Sequence, residues 1–197
     1  MKYVNLVVED LLSAAVLRRI LGDLNISVAT CYGLQGNNYI RQRLRAFHKA
    51  SQYIPYVILT DLDNNPCPPQ LISNWGQGLN PSGSFIFRVA VKEVESWLLA
   101  DRINFAVYLG IPPVRIPNNV EGIPNTKEFL INLAKGARKK QMREDIAPLA
   151  GSFGKRGKDY NGALIRFVRQ HWNYNTALAY SQSLNGTIKA INQFANL

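Results

Sequence analysis

Two aspartates, Asp61 and Asp63, end the stretch VILTDLDNN at residues 57–65, with one residue between them. Carboxylates this close repel each other unless a cation neutralises them or one takes a proton. Such hard oxygen ligands suit Mg²⁺ or Mn²⁺, and an ion of this kind activates water and stabilises charge on a phosphodiester. A third acid, Glu9, closes the apolar run YVNLVV, and Glu93 and Glu95 follow the run SFIFRVAV. Glu95 is a candidate to support a second ion or to orient the first. Each acid also has a plainer use. Asp10 and Asp63 suit the caps of following helices. Glu95 suits a cap or an arginine partner, Glu93 a solvated helix start, and Asp101 a helix end or ion pair. Trp97, Leu98 and Leu99 read as core.

The elements that must position these acids are legible as short apolar runs. Residues 3–8, 26–31, 56–60 and 84–91 read as strands, and their apolar rather than alternating character fits a sheet covered on both faces. Between them stand a helix over AAVLRRIL ending near Gly22, a basic helix over YIRQRLRAFHKA with Ile40, Leu44 and Phe47 on one face, and a short helix near Leu71–Trp75. KEVESWLLADR then reads as helix. The order β-α-β-α-β-α-β predicts a mostly parallel four-stranded sheet flanked by helices. Ligands of such a sheet collect outside the carboxyl ends of its strands, which is where Glu9, Asp61 and Asp63 fall. Strands one and three are often neighbours, so the three carboxylates are expected to converge.

The rest of the chain reads as mainly helical, with Asn125 or Thr126 capping TKEFLINLAKGA and helices over ALIRFVRQHW and SLNGTIKAINQFA. A division into an α/β core at 1–111 and a basic helical extension at 112–197 is expected.

Charge separates along the chain. The formal net charge is +10, of which residues 1–125 carry +2 and residues 126–197 carry +8. A basic part beside a near-neutral one points to a polyanion, nucleic acid first. Arg41, Arg43 and Arg45, with Lys49, cluster on the basic helix after the turn YGLQGNN, and a helix start beside such a turn suits phosphate. GLQG lacks the GK[ST] of a P-loop, which argues against ATP there. Lys155, Arg156 and Lys158 stand among Gly151, Gly154 and Gly157 in GSFGKRGKDYNG, where backbone can approach a ligand closely. Their expected targets are phosphates, contacts that position a nucleic acid without reading its sequence. The run Arg138–Lys140 reads more simply as a solvated helix face.

Several chemistries are disfavoured. Cys31 and Cys67 are the only cysteines and no CxxC occurs, so neither a zinc site nor a disulfide framework is indicated. His48 and His171 are too far apart in sequence for a histidine-based metal site. GxSxG and HExxH are absent. MKYVNLVVEDLL is broken by acids and does not read as a signal peptide, and no apolar run is long enough to span a bilayer. A soluble cytoplasmic protein with no membrane partner is expected.

The order of a strand-end glutamate followed by DxD after the third strand resembles the TOPRIM domain of topoisomerases, bacterial primases and OLD-family nucleases. The resemblance covers about residues 1–100. It implies that Asp61 and Asp63 coordinate a metal and that Glu9 is a ligand or general acid–base. The family usually has glycine after the glutamate, where this chain has Asp10. A second resemblance rests on VKEVESWLLADRINFAVYLGI, residues 91–111, with Glu95, Trp97, Leu98, Leu99, Ala100 and Asp101 matching the ME-x-W-LLAD segment of the bacterial TOPRIM-like family DUF4276, and Val94 replacing its usual Met. GKRGKDYNGALIRF is similar to that family's Lys-rich C-terminal segment.

Together these imply an α/β fold of TOPRIM-like, or Rossmann-like, type. The function they imply is a Mg²⁺- or Mn²⁺-dependent nuclease or related phosphodiester-processing protein, with Glu9, Asp61, Asp63 and Glu95 as its catalytic acids. The alternative is a non-catalytic module that binds nucleic acid or a partner protein within a bacterial multi-component defence or mobile-element system. Topoisomerase activity would need further domains and an identifiable tyrosine nucleophile.

Overall fold

Buried β-rich runs become four strands: β1 (Lys2–Val8), β2 (Ile26–Gly33), β3 (Tyr56–Asp61) and β4 (Phe85–Ala90). The computed structural model describes residues 2–79, 82–149, 151 and 153–196. Its sheet is parallel throughout, in the order β2-β1-β3-β4. The α/β class and the parallel four-stranded sheet are as the sequence predicts, and the arrangement is that of a Rossmann-like fold. The strand order reverses between β1 and β3, because the chain leaves β1 for β2 on one side and returns to place β3 on the other. In open α/β sheets this switch opens a crevice beyond the carboxyl ends of the two strands.

The described residues group into two compact units. One holds the chain up to Val91 together with the segment from Ser183 on, and the other holds Lys92–Gln182. This grouping differs from the sequence-based boundary at 111 in two ways: residues 92–111 group with the second unit, and the segment from Ser183 on groups with the sheet-bearing one.

In the first unit, helices α1 (Leu11–Asp23), α2 (Asn37–Ala50) and α3 (Pro68–Trp75) connect the strands. Ile40, Leu44 and Phe47 of α2 pack on Val7, Tyr56 and Ile58 of β1 and β3. That is the face expected from their i, i+4, i+7 spacing. Leu62, Leu71 and Val89 form a second apolar group beside α3. Asn5 interrupts the apolar run of β1. It is buried at an irregularity in the β1–β2 register, where its Oδ1 accepts the Thr30 N–H at 3.1 Å. The last helix buries Leu184, Ile188, Ile191 and Phe194, and its final carbonyls, of Phe194 and Ala195, accept Lys2 Nζ at 3.0 and 2.7 Å.

In the second unit the described elements are helical: α4 (Glu95–Ala100), α5 (Arg102–Leu109), α6 (Thr126–Lys135), α7 (Lys140–Ile146), α8 (Tyr160–Gln170) and α9 (Tyr174–Ala177), with two 3-10 turns. The final helix of the chain is α10 (Gln182–Ala195). The expected helix over KEVESWLLADR, residues 92–102, is shorter, Glu95–Ala100, and after Asp101 a second helix begins at Arg102. Trp97 is fully buried, as expected of core, and its carbonyl accepts Trp172 Nε1 at 3.2 Å. Phe105 meets Phe167 edge to face at 4.9 Å. Among the described residues no helix is long and apolar enough to cross a membrane.

Candidate functional site

The carboxyl ends of β1 and β3 bring the Glu9 carboxylate to the Asp61 backbone, which is less than the expected convergence of the Glu9, Asp61 and Asp63 carboxylates on one point. Glu9 Oε1 accepts the Asp61 backbone N–H at 2.8 Å and the Thr60 hydroxyl. Burial pushes the Glu9 carboxyl above the ordinary glutamate range. The two hydrogen bonds oppose that shift, and the charges of Asp63 and Asp10 add to it. Asp61 is buried, at 6% exposure. Asp63 follows in the left-handed backbone region, φ 50°, and its Oδ2 accepts Asn37 Nδ2 at 3.1 Å. Asn37 is the first residue of α2, so the DxD loop is tied to the start of that helix.

The turn between β2 and α2 closes over the same strand ends. Leu34 N–H donates to the Val8 carbonyl at 2.9 Å and Gly36 N–H to the Glu9 carbonyl at 3.0 Å. Gly33 is required for this approach. Its φ is +98°, and a Cβ there would stand 2.1 Å from the Val8 carbonyl oxygen. The sequence marked YGLQGNN as a turn before a basic helix. It did not reveal that the turn holds the backbone under Glu9.

Asp10 is used structurally: its Oδ1 caps α1 by accepting the Ser13 N–H at 2.8 Å. Asp63 does not cap α3, whose N-cap is Cys67. Three carboxylates offer the oxygen donors a hard cation prefers. Yet among the described residues no group of three or more His, Cys, Asp or Glu side chains is placed to hold a metal ion.

Glu95 belongs to the second unit. It is 2% exposed, accepts the Tyr160 hydroxyl at 3.1 Å and stands 3.8 Å from Lys127 Nζ. Burial and the adjacent Glu95 charge push Tyr160 far above the ordinary tyrosine range. Glu93 is more than a solvated acid, because it accepts both Lys127 N–H and Lys127 Nζ, at 3.1 and 2.8 Å, at the start of α6. Asp101 is buried and structural: it accepts Asn104 Nδ2, Asn173 N–H and Thr176 Oγ1. Asn125 caps α6 through the Glu128 N–H, one of the two caps expected.

The basic candidates divide by what already holds them. Arg41, Arg43 and Arg45 are exposed on α2. Arg43 lies over the Tyr39 ring at 5.0 Å, and Arg45 donates to the Gln77 carbonyl at 3.0 Å. In the second unit, Lys158 pairs with Glu144 at 3.0 Å, while Lys155 and Arg156 line a cavity with residues of α6. Ser152, in the same Gly- and Lys-rich segment, lies outside the described residues. Arg138, Lys139 and Lys140 are exposed, but only Lys140 is in a helix: Arg138 and Lys139 lie in the loop that precedes α7, not on the expected helix face. His48 packs edge-on against Phe85, and His171 lies tilted against Tyr108.

Comparison with protein-family models, with curated proteins and with solved structures finds no match to this chain.

Proposed function

We propose that the chain is a nuclease, or a related phosphodiester-processing protein, acting on nucleic acid from the β1–β3 strand ends. The observation that carries this reading is the joining of Glu9 to Asp61 at the switch point of the sheet, with Asp63 close enough to raise the proton affinity of Glu9. A carboxyl group raised above its ordinary range is better matched to proton transfer near neutral pH. Anchoring Oε1 on Thr60 and Asp61 fixes the group, and Oε2 is the oxygen that takes a proton from attacking water and returns it to the leaving oxygen. The exposed arginines of α2 contact neighbouring phosphates. Mg²⁺ or Mn²⁺ is the cofactor this reading carries, and when bound it neutralises charge on the phosphate. Asp61 and Asp63, with Glu9, would be the residues to hold it, although they do not stand as a ready cation cage. The likeness to TOPRIM domains and to DUF4276 remains part of this proposal.

That same lack of a ready cage, with Asp10 spent as a cap, favours a second reading. The chain is then a non-catalytic nucleic-acid- or protein-binding module of a bacterial multi-component system.

One experiment separates the two. Labelled single- and double-stranded DNA and RNA are incubated with Mg²⁺ or Mn²⁺ and wild type, Asp63→Asn or Asp61→Asn. Cleavage by wild type that both variants lose while still binding supports the enzyme. Salt-sensitive binding without cleavage by any of the three supports the module.

A further inference from the structure

We propose that the second unit contains a binding site for a small phosphate-bearing molecule of nucleotide size. The site is the cavity of about 560 Å³ lined by α6 and by Pro148, Lys155 and Arg156. That volume lies within the range of small-molecule pockets, roughly 300–1,000 Å³. The inference does not rest on the strand-end reading, because every residue of the cavity lies within 92–182.

The lining is chemically sorted. Lys127 and Lys135 stand two turns apart on α6, with Ile131 between them at the i, i+4, i+8 spacing of one helix face. Lys155 and Arg156 face them from the other side, and Ile131 and Pro148 supply apolar wall. Four cations meet two carboxylates, Glu93 and Glu128. Glu93 is already engaged by Lys127. Lys135 spends one hydrogen bond on Asn132, at 2.9 Å. Among the described residues Lys155 makes no ion pair, and Arg156 rests on the Tyr160 ring at 5.0 Å. With Glu95 also 3.8 Å from Lys127 Nζ, the cavity and its border keep a surplus of one positive charge, concentrated at Lys135, Lys155 and Arg156, which suits a phosphate group. Asn132, whose Oδ1 takes Lys135, offers its amide Nδ2 for the remainder of the ligand.

The cations are held in place. Just beyond Arg156 the chain is clamped to the end of α7 by three backbone bonds of 3.0 Å: Gly157 N–H to the Ile146 carbonyl, Lys158 N–H to that of Glu144 and Asp159 N–H to that of Asp145. Gly157 permits the clamp, since a Cβ there would stand 2.4 Å from the Asp145 carbonyl oxygen. Arg156 is braced from below by Tyr160, itself bonded to buried Glu95. The cavity is half-open and concave, with its cations grouped around one mouth rather than strung along a stripe, which suits a small ligand or a strand end.

The test is calorimetric titration with AMP and with a trinucleotide carrying either a 5′-phosphate or a 5′-hydroxyl. The proteins are wild type, the double variant Lys155→Ala/Arg156→Ala, and Lys158→Ala, whose side chain is turned to Glu144. Expected is phosphate-dependent binding that falls at least tenfold in the double variant and persists in Lys158→Ala. Preference for AMP identifies a free nucleotide as the source. Preference for the 5′-phosphorylated strand identifies a nucleic-acid end. No binding of either by wild type, equal binding of the 5′-hydroxyl strand, or unchanged binding in the double variant overturns the proposal. The same titration on Asp61→Asn, with binding retained, keeps this outcome separate from failure of the strand-end reading.

Discussion

Glu9 Oε1 accepts the Asp61 backbone N–H at 2.8 Å, so the ends of two adjacent parallel strands share one carboxylate. The bond does two things. It orders the acid where the sheet's crevice opens, and it makes the geometry of Glu9 depend on the pairing of β1 with β3. The Thr60 hydroxyl adds a second bond to the same oxygen. Burial nevertheless dominates, and the carboxyl binds its proton more tightly than a free glutamate does.

A raised folded-state pKa gives Glu9 a defined signature in stability. The folded protein holds this proton more tightly than the unfolded chain, so its contribution is fully present below the ordinary value of 4.5 and is lost as pH rises through the folded value. Thermal unfolding of wild type and Glu9→Gln over a pH series is expected to show it. Wild type gains relative to the variant below about pH 4.5 and loses relative to it toward pH 7. A difference in melting temperature that stays constant across the series would remove the buried-acid account.

Gly33 predicts a contrast with a second glycine. An alanine at Gly33 meets both a left-handed backbone and the Val8 carbonyl, whereas at Gly22, inside α1, a Cβ finds nothing within 4 Å. Gly33→Ala is expected to cost more than about 2 kcal/mol. Gly22→Ala is expected to gain about 0.5 kcal/mol from helix propensity. Urea unfolding measures both, and equal effects at the two positions would contradict the close approach at β2.

The parallel sheet was legible because covered strands read as predominantly apolar runs, and 3–8, 26–31, 56–60 and 84–91 do, with Asn5 and Arg88 as interruptions. The cap at Asn125 was legible because its chemistry is local. Other features depend on partners far away in the chain. Nothing around Lys2 announces the carbonyls of Phe194 and Ala195, so the return of α10 to the first unit was unreadable. Lys155 and Lys158 look alike in GKRGKD, yet one lines a cavity and the other pairs with Glu144. The DxD motif indicated where the carboxylates would stand. It could not show that Asp63 turns to Asn37, because that partner comes from the start of α2.

Asp101 is expected to matter for stability rather than for ligand binding. The carboxylate is 1% exposed and joins α5 to the segment 173–176 through Asn104, Asn173 and Thr176. Asp101→Ala strands these donors and is expected to cost about 3 kcal/mol. Asp101→Asn keeps one acceptor oxygen and should fall between wild type and alanine. Chemical denaturation ranks the three, and an alanine variant as stable as wild type would show that the network carries no net energy.

Nucleic-acid binding through α2 is best probed at Arg41. Arg43 is partly committed to the Tyr39 ring and Arg45 to the Gln77 carbonyl, while Arg41 stands exposed on the same helix. A phosphate contact contributes counterion release but no sequence preference. Arg41→Ala is therefore expected to weaken binding to unrelated sequences by a similar factor. It should also flatten the slope of log K against log salt by about 0.9 on duplex DNA, or about 0.7 on a single strand. Fluorescence anisotropy at several salt concentrations reads both quantities. A weakening confined to one sequence would mean that Arg41 reads bases, and an unchanged slope would move the phosphate contact away from α2.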